Sequence, residues 1–341
     1  MKNPFVTNGY VSPEYFCDRE KETAKIVSLL TNENNIALIS PRRLGKTDLL
    51  RHCFGQPEIK EHYHTFIIDI YATSSVRDFV NVFGKAVLDE LRPKGKSVWG
   101  TFLNVLASLR SEITFDMNGQ PTWGIGLGAI TNPSATLDEI FSYLNNAGKP
   151  CLIAIDEFQQ ITKYADDPNI EAALRTHIQR CSNAHFVFSG SHRHLMGAMF
   201  TSPARPFYQS VTLINLPPIS VDKYAEFCLK HFERVSKHLD TLVVTELYER
   251  FNGITSYMQK VMNILFSMTG TGEICIPSMI DTAINDLLDF SADTYDALLY
   301  QMPEKQRIVF MAIAAEGKAK AISSGDFVRK YKLQSASSVS S

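Results

Sequence analysis

Between residues 36 and 214, short apolar runs alternate with longer stretches of helical periodicity. The runs are rich in β-branched and aromatic residues and have the length of buried strands. Strands that alternate with helical patterns indicate an α/β domain with a largely parallel sheet. We predict one doubly wound sheet built from IALIS (36–40), TFIIDI (65–70), CLIAID (151–156), HFVFS (185–189) and VTLI (211–214).

A different pattern interrupts the sheet domain between the second and third runs. Residues 113–130 alternate apolar positions with small or polar ones around Asn118-Gly119, a dipeptide that favours a tight hairpin turn. We predict an inserted β-hairpin there. The GIGLG run (124–128) does not complete a GxGxxG fingerprint at the end of a core strand, which argues against a dinucleotide-binding loop.

After Pro217-Pro218 the pattern changes to helices alone. Beyond Pro303 an amphipathic helix and a second helix with a serine cap are predicted. The chain thus divides into a sheet domain (1–216), a smaller helical domain (217–298) and a C-terminal module (299–341).

Composition agrees with two or three folded domains. The chain has 341 residues, of which 45% are hydrophobic and 21% charged, as in folded, soluble proteins. The net charge is only -2 and the pI is about 6.5, so the chain as a whole is not built to attract nucleic acid or an anionic membrane. The net charge does not decide whether one surface of the protein carries a local basic patch.

The cysteine pattern indicates a reducing compartment, and the apolar segments indicate neither secretion nor membrane insertion. Six cysteines are scattered without a CxxC pair or metal-ligand spacing, so we expect buried or free thiols. The start of the chain has no signal-peptide core, and no later run reaches eighteen apolar residues. We expect a cytoplasmic protein without a membrane segment.

The stretch ALISPRRLGKTDLL (37–50) is a candidate phosphate-binding loop. A strand, a flexible turn, Gly-Lys-Thr and a helix form the arrangement in which backbone N–H groups and a helix N-terminus hold phosphates. Lys46 would reach the β- and γ-phosphates and the Thr47 hydroxyl would bind Mg²⁺. Ser40 replaces the first glycine of GxxxxGK[ST]; a serine costs on the order of 1 kcal/mol if that position requires φ > 0.

A pair of carboxylates about a hundred residues later supports this interpretation. Asp156 ends an apolar strand and can face Mg²⁺, while Glu157 can face a water that attacks the γ-phosphate. Alone, the pair fits a polar strand end or a cap of the helix FQQITKY equally well. The loop and the pair in this order favour a nucleotide site.

These motifs resemble those of the AAA+-like P-loop ATPases of the STAND type, in particular the family described as the ATPase domain found mainly in archaea, which has bacterial members. PRRLGKT (41–47) is similar to its PRR-x-GKT, and IDEF (155–158) to its second motif. YFCDRE (15–20) and FVFSGSHRHLM (186–196) resemble its entry motif and its fourth strand. The stretch 203–220 resembles the connection to a helical lid, and the likeness extends over residues 4 to 335.

The resemblance implies a P-loop NTPase with a five-stranded parallel core sheet of order 5-1-4-3-2, followed by an α-helical lid and a partial winged helix. The lid residues 253–257 lack the family's Gly-x-Pro, which leaves their contact with nucleotide open. Ser191 or Ser189 would sense the γ-phosphate. The implied nucleotide contacts are Phe16, Arg19, Ser40, Pro41, Arg42, Arg43, Leu44, Gly45, Lys46, Thr47 and Asp48, with Thr47 and Asp156 as Mg²⁺ ligands.

Other candidate residues have an ordinary alternative. Arg175, Arg193 and Arg205 could each act as an arginine finger, with Arg205 the first choice, although most arginines are surface or ion-paired residues. Three histidines around the fourth predicted strand lack a further ligand for zinc and suit polar surface or phosphate contacts. The pairs Tyr15-Phe16 and Phe207-Tyr208 suit core packing or stacking on adenine.

By the same resemblance, residues 335–339 begin a recognition helix that the chain ends before completing, so we expect a truncated module. The basic residues before it suit either DNA phosphates or a solvated helical face; they are Lys318, Lys320, Arg329, Lys330 and Lys332.

We therefore predict an ATP-binding molecular switch that hydrolyses Mg-ATP slowly, with Lys46, Glu157, Ser191 and Arg205 as catalytic residues. The alternative is a nucleotide-stabilised module that binds DNA or protein with negligible turnover. We expect a monomer or weak oligomer.

Overall fold

The computed structural model describes residues 3–91, 113–115, 121–123, 133–317, 319–335 and 339, with backbone alone for the two short segments. The chain forms two compact units, Met1–Pro277 and Ser278–Ser341. The expected three-part division stays a prediction. Residues 217–277, which were expected to belong to a separate helical domain, lie in the same compact unit as the sheet.

The predicted parallel sheet is confirmed. Its strands are β1 (Ile36–Ile39), β2 (His64–Asp69), β5 (Cys151–Asp156), β6 (Ala184–Gly190) and β7 (Thr212–Asn215). They lie in the order β2-β5-β6-β1-β7, with every neighbouring pair parallel. This is the predicted order, and it brings the carboxyl ends of β1, β5 and β6 to one edge of the sheet.

Two apolar cores cover the two faces of the sheet, because side chains alternate along each strand. In β1, Ala37 and Ile39 join one core while Ile36 and Leu38 join the other. The first core also contains the Phe side chains of β6 and of its flanking helices, and the second contains leucines of the helices beside the phosphate loop. The strand ends that carry polar residues are therefore held from both sides.

The helices of the sheet domain are α1 (Glu20–Thr31), α2 (Lys46–Phe54), α3 (Pro57–Lys60), α4 (Val76–Glu90), α5 (Pro133–Asn145), α6 (Ile170–Arg180) and α7 (Arg193–Thr201), with 3-10 helices at Pro13–Tyr15 and Phe158–Lys163. In the segment predicted as a hairpin, β3 (Ile113–Phe115) pairs antiparallel with β4 (Pro121–Trp123). The predicted turn, Asn118-Gly119, lies outside the described residues.

Three helices follow the sheet within the first unit: α8 (Val221–Glu233), α9 (Thr241–Phe251) and α10 (Thr255–Met268). Two short strands, β8 (His238–Leu239) and β9 (Ile274–Cys275), pair in parallel beside them. Phe5 is fully buried and its ring lies 5.7–6.0 Å from those of Phe227, Phe232 and Phe266. The N-terminal segment is thereby fixed to the helical part.

The second unit contains α11 (Ile280–Gln301), α12 (Glu304–Glu316) and α13 (Gly325–Lys330), after a 3-10 turn at Pro277–Met279. The predicted serine cap is present, since Ser324 Oγ accepts the Phe327 N–H at 3.2 Å. Ala312, Phe327 and Leu333 form its small core. Residues 336–338 of the expected recognition helix lie outside the described residues.

All six cysteines are buried and unpaired. Across the described residues, no helix is both long enough and apolar enough to cross a bilayer.

Candidate functional site

The turn between β1 and α2 has its left-handed backbone at Arg43 (φ 71°) and Gly45 (φ 82°), not at Ser40. Ser40 continues the strand, since its N–H donates to Gly190 O of β6 at 3.3 Å, and its side chain is fully buried. The backbone penalty considered for a serine at position 40 therefore does not arise.

Lys46 begins α2 and carries a buried ammonium group, with 7% of the residue exposed. Its Nζ donates to two carbonyl oxygens of the loop, Ser40 O at 3.1 Å and Pro41 O at 3.2 Å. Burial lowers the pKa of Lys46, while the nearby Asp156 and Glu157 oppose that shift. The site thus holds a partly desolvated cation next to two carboxylates, an environment that an anionic ligand would stabilise.

The loop and the carboxylate strand meet at Thr47. Its Oγ1 donates to Asp156 Oδ2 at 2.6 Å, although the two residues are 109 positions apart in the chain. Asp156 ends β5 and is itself buried. This hydrogen bond brings together the hydroxyl and the carboxylate that the sequence paired as cation ligands.

Glu157 occupies a left-handed backbone position (φ 55°) immediately after β5. Its Oε2 accepts from Ser191 Oγ at 2.8 Å and from Gln159 Nε2. Ser191 in turn accepts from Arg42 Nε of the loop at 3.4 Å. The carboxylate is thus connected to the loop through one serine, whereas the Ser189 hydroxyl is buried and has no hydrogen-bond partner among the described residues.

A cavity of about 310 Å³ lies above these groups. This volume is in the range of small-molecule sites. The walls include loop residues from Arg42 to Asp48, the carboxylates Asp156 and Glu157, and the lid residues Thr255, Ser256 and Gln259. Five structural segments therefore converge on it: the N-terminal segment, the loop, the end of β5, the connection into α8 at Ile219, and the start of α10.

The N-terminal segment forms the wall opposite the carboxylates. Phe16 lines the cavity and stacks on His52 of α2 with ring centroids 4.4 Å apart. Tyr10 lies edge-on to Phe16, and its hydroxyl is 3.0 Å from His52 Nδ1. Burial lowers the pKa of His52, and Tyr10, Tyr15 and Phe16 give this wall aromatic faces. It suits a flat, uncharged ring.

Arg19 and Asp48, both expected to contact nucleotide, line the cavity and also interact with neighbouring protein groups. Arg19 is 3% exposed and donates to Glu22 Oε1 and to Pro217 O, each at 2.7 Å. Burial raises the pKa of the Asp48 carboxyl, against the opposing effects of Arg51 and a backbone hydrogen bond from Tyr10. Arg19 thus connects the start of α1 to the link into the helical part.

The loop also contacts the lid directly. Arg43 O accepts from Ser256 N at 3.2 Å, and the Arg43 guanidinium lies over the Tyr257 ring, 4.8 Å from its centroid, while donating to the Tyr257 hydroxyl. The lid residues without Gly-x-Pro therefore still reach the loop and the cavity wall.

The arginine candidates lie elsewhere. Arg205 forms an ion pair with the buried Glu171 of α6, and neither it nor Arg175 or Arg193 is among the described residues that line the cavity. Phe207 is 1% exposed and packs against Phe158 in the core, whereas Tyr15 and Phe16 of the other predicted pair both line the cavity. Within one chain the geometry gives Arg205 a structural contact and no position at the site.

Two contacts had no signal in the sequence: Gln159 reaches Glu157 only through tertiary packing, and His52 reaches the site through its stack on Phe16. Ser256 and Tyr257 belong to the stretch 253–257, whose nucleotide contact the sequence left open, and both contact the loop. The histidine near the carboxylate strand, His185, is 9% exposed and its pKa is lowered by burial. In the part of the chain that the structure describes, no group of three or more His, Cys, Asp or Glu side chains is arranged to hold a metal.

The donor set does fit Mg²⁺ bound together with phosphates. Magnesium prefers oxygen ligands and is usually held by one or two carboxylates plus substrate phosphates and water. The Thr47 hydroxyl and the Asp156 carboxylate, 2.6 Å apart, are of this kind and stand at the base of the cavity.

Comparison with solved structures identifies the same fold in several proteins. A Walker-type ATPase of Pyrococcus abyssi is 18% identical, with a TM-score of 0.62 over 96% of this chain and 87% of that one. The Aeropyrum pernix ORC2 protein, in ADPNP-ADP complexes, is 15% identical with a TM-score of 0.57 over 97% and 82% of the two chains. The ORC1 protein of the same organism, in complex with DNA, is 14% identical with a TM-score of 0.54 over 94% and 78%.

No curated protein matches the chain. Residues 293–341 match the family described as a probable winged helix domain, which confirms the winged helix expected at the C-terminus. Residues 16–261, which include the phosphate loop, β5 and the start of α10, match the family described as the ATPase domain predominantly from Archaea, and the chain therefore belongs to that family.

Proposed function

We propose that the chain is a STAND-type, AAA+-like switch that binds Mg-ATP in the cavity and hydrolyses it slowly. The observation that carries the proposal is the 2.6 Å hydrogen bond from Thr47 to Asp156, which joins the phosphate loop to the carboxylate strand. The match to an ATPase-domain family supports the choice of nucleotide. The aromatic wall at Phe16 supplies a surface on which adenine can stack.

Thr47 and Asp156 would hold Mg²⁺, which supplies charge neutralisation on the β- and γ-phosphate oxygens when bound. Lys46 would exchange its two loop carbonyls for phosphate oxygens, a charge-assisted contact that offsets the burial of its ammonium group. The first residues of α2, Lys46 to Asp48, line the cavity, so the N–H groups of this helix N-terminus would bind phosphate oxygens there.

Glu157 is the proposed general base. It would accept a proton from the attacking water as the new O–P bond forms on the γ-phosphorus and the bond to the β–γ bridging oxygen breaks. The products are ADP and inorganic phosphate, and the proton then passes from Glu157 to solvent. Ser191 would sense the γ-phosphate through the hydrogen bond that it donates to this carboxylate.

The contact between Arg43 and the lid supports the proposed switch. The same loop that would bind phosphates accepts the Ser256 N–H and stacks on Tyr257. Filling the loop with phosphates would therefore change how the start of α10 sits on it, which is how binding between two parts of a molecule couples chemistry to movement.

The deciding experiment is single-turnover hydrolysis of Mg-ATP by wild type and Glu157→Gln, with nucleotide binding measured in the same samples. We expect both to bind and only the wild type to release phosphate. Glu246→Gln, an exposed residue of α9, is the matched control and should behave as wild type. Failure of the wild type to bind Mg-ATP would contradict the proposal.

A second candidate is a nucleotide-stabilised DNA-binding module with negligible turnover. The winged helix match and the fold shared with an ORC1 protein solved with DNA favour it. Two of the basic residues are already ion-paired, Arg329 with Asp326 at 2.5 Å and Lys330 with Glu316 at 2.6 Å, so they offer less charge to phosphates. ATP-dependent retardation of duplex DNA without phosphate release would support this candidate, and absence of binding at low salt would refute it.

A further inference from the structure

Gln159 is a buried residue that contacts the proposed general base. The 3-10 helix Phe158–Lys163 turns its side chain back towards the carboxylate two positions earlier, and 3% of the residue is exposed. Its Nε2 donates to Glu157 Oε2, the same oxygen that accepts from Ser191 Oγ. Two donors from different elements thus converge on one carboxylate oxygen.

This convergence distinguishes the two oxygens of Glu157. Oε2 is engaged by both donors, whereas no hydrogen bond to Oε1 is found among the described residues. Glu157 lines the cavity next to the phosphate loop. Oε1 is therefore the oxygen that remains open to accept a proton from a bound water.

Gln159 is itself held in place. A Cβ on Gly190 would collide with Gln159 Oε1 and would lie 2.5 Å from Met196 Sδ, so a glycine at the end of β6 makes room for the amide. Oε1 of Gln159 is buried and has no hydrogen-bond partner in the described part of the chain. A buried amide oxygen without a partner is unfavourable, and a leucine would avoid it, so packing alone does not account for a glutamine here.

Building on the ATPase function proposed above, we propose that Gln159 is a positioning residue for hydrolysis. Its amide fixes Glu157 Oε2, together with Ser191, so that Oε1 takes the proton from the attacking water. The hydrogen bond from Arg42 to Ser191 connects this arrangement to the phosphate loop. Gln159 is not among the described residues that line the cavity, so it would act through Glu157.

The first test compares Gln159→Leu with Gln160→Leu. Gln160 is the matched control because it follows directly in the same helix and its Nε2 donates to Thr73 O at 2.9 Å, away from Glu157. We expect Gln159→Leu to lower the single-turnover rate about 10-fold or more, with ATP affinity within about twofold of wild type. Gln160→Leu should keep the wild-type rate even where its melting temperature falls.

The second test uses Gln159→Glu, which is close to glutamine in size. An ionised carboxylate cannot donate the hydrogen bond that Gln159 Nε2 gives to Glu157 Oε2. We therefore expect Gln159→Glu to lower the single-turnover rate about 10-fold or more while ATP affinity stays within about twofold of wild type. A residue that only packs would leave the rate of this variant of similar size near that of wild type, and the variant also carries the test if Gln159→Leu does not fold.

The outcomes separate the two proposals. Phosphate release by the wild type, with unchanged rates in both Gln159 variants, would overturn the positioning role and leave the ATPase function standing. No release by the wild type would overturn both. Slower hydrolysis by both Gln159 variants, with ATP affinity kept, would establish the role.

Discussion

Ser40 shows how a single residue can depart from a motif without a backbone penalty. The position looks expensive if the phosphate loop requires a left-handed residue there, since only glycine adopts that conformation freely. The loop instead places its left-handed residues at Arg43 and Gly45, and Ser40 remains hydrogen-bonded to β6. Whatever Ser40 changes about nucleotide affinity acts through its side chain, not through φ.

At the scale of residues, the sequence predicted the site residues that belong to recognisable motifs. It missed the residues that reach the site only through tertiary packing. Lys46, Thr47 and Asp156 could be chosen because a Gly-Lys-Thr loop followed by a strand that ends in carboxylates is typical of a nucleotide site. Gln159 could not, since a glutamine two residues after Glu157 also fits a plain helix surface. Arg205 could be proposed for its charge and its position after the fourth predicted strand, but its partner Glu171 was not visible in any local pattern.

The lysine of the loop gives the first residue-scale prediction. Lys46→Ala removes the buried ammonium group that now faces two loop carbonyls, so ATP affinity should fall about 100-fold or more, as expected for losing a charge-assisted contact to phosphate. Titration with a fluorescent ATP analogue would measure it. Lys149→Ala, which removes an exposed amine donating to Glu61 O, is the control, and equal affinities in both variants would rule out a phosphate role for Lys46.

At the scale of elements, strands were more predictable than the short structures between them. Five runs of β-branched and aromatic residues became five strands, with ends shifted by about one residue, because burial on both faces leaves a continuous apolar signal. The residues after Glu157 form a 3-10 helix rather than the longer helix suggested by FQQITKY. Strands β8 and β9 have two residues each, too few for any period to appear.

The junction between the loop and α10 carries an element-scale prediction. Tyr257→Leu removes the ring under the Arg43 guanidinium and the hydroxyl that accepts from it, so the lid should bind the loop less firmly. We expect ATP affinity to fall about two- to fivefold, the worth of a cation–π contact at a partly exposed site. Calorimetric titration measures it beside Tyr257→Phe, which keeps the ring and should lose less. An ATP affinity of Tyr257→Leu equal to that of wild type would show that the contact between the lid and the loop does not contribute to ATP binding.

At the scale of the whole molecule, the boundary between the two compact units falls after the lid helices, at Pro277. Proline and charge patterns marked changes in helix content at 217 and 303, but they do not reveal which helices share a core. Shared cores are set by contacts between distant residues, such as Phe5 with Phe266. Unit boundaries were for this reason harder to predict than the strand order.

This division predicts that residues 1–277 bind ATP without the second unit. Every described residue that lines the cavity belongs to the first unit, from Val6 to Gln259, and so do both proposed Mg²⁺ ligands. The first unit has two cores of its own around the sheet, which supports independent folding. ATP affinity of residues 1–277 should therefore stay within about twofold of the full chain, measured by the same titration.

If the fragment folds with a cooperative melting transition but binds ATP much more weakly, the second unit contributes to the site. If affinity is kept while hydrolysis changes, the second unit acts on the catalytic step, as a switch requires when its output module and its nucleotide site are separate parts of the chain.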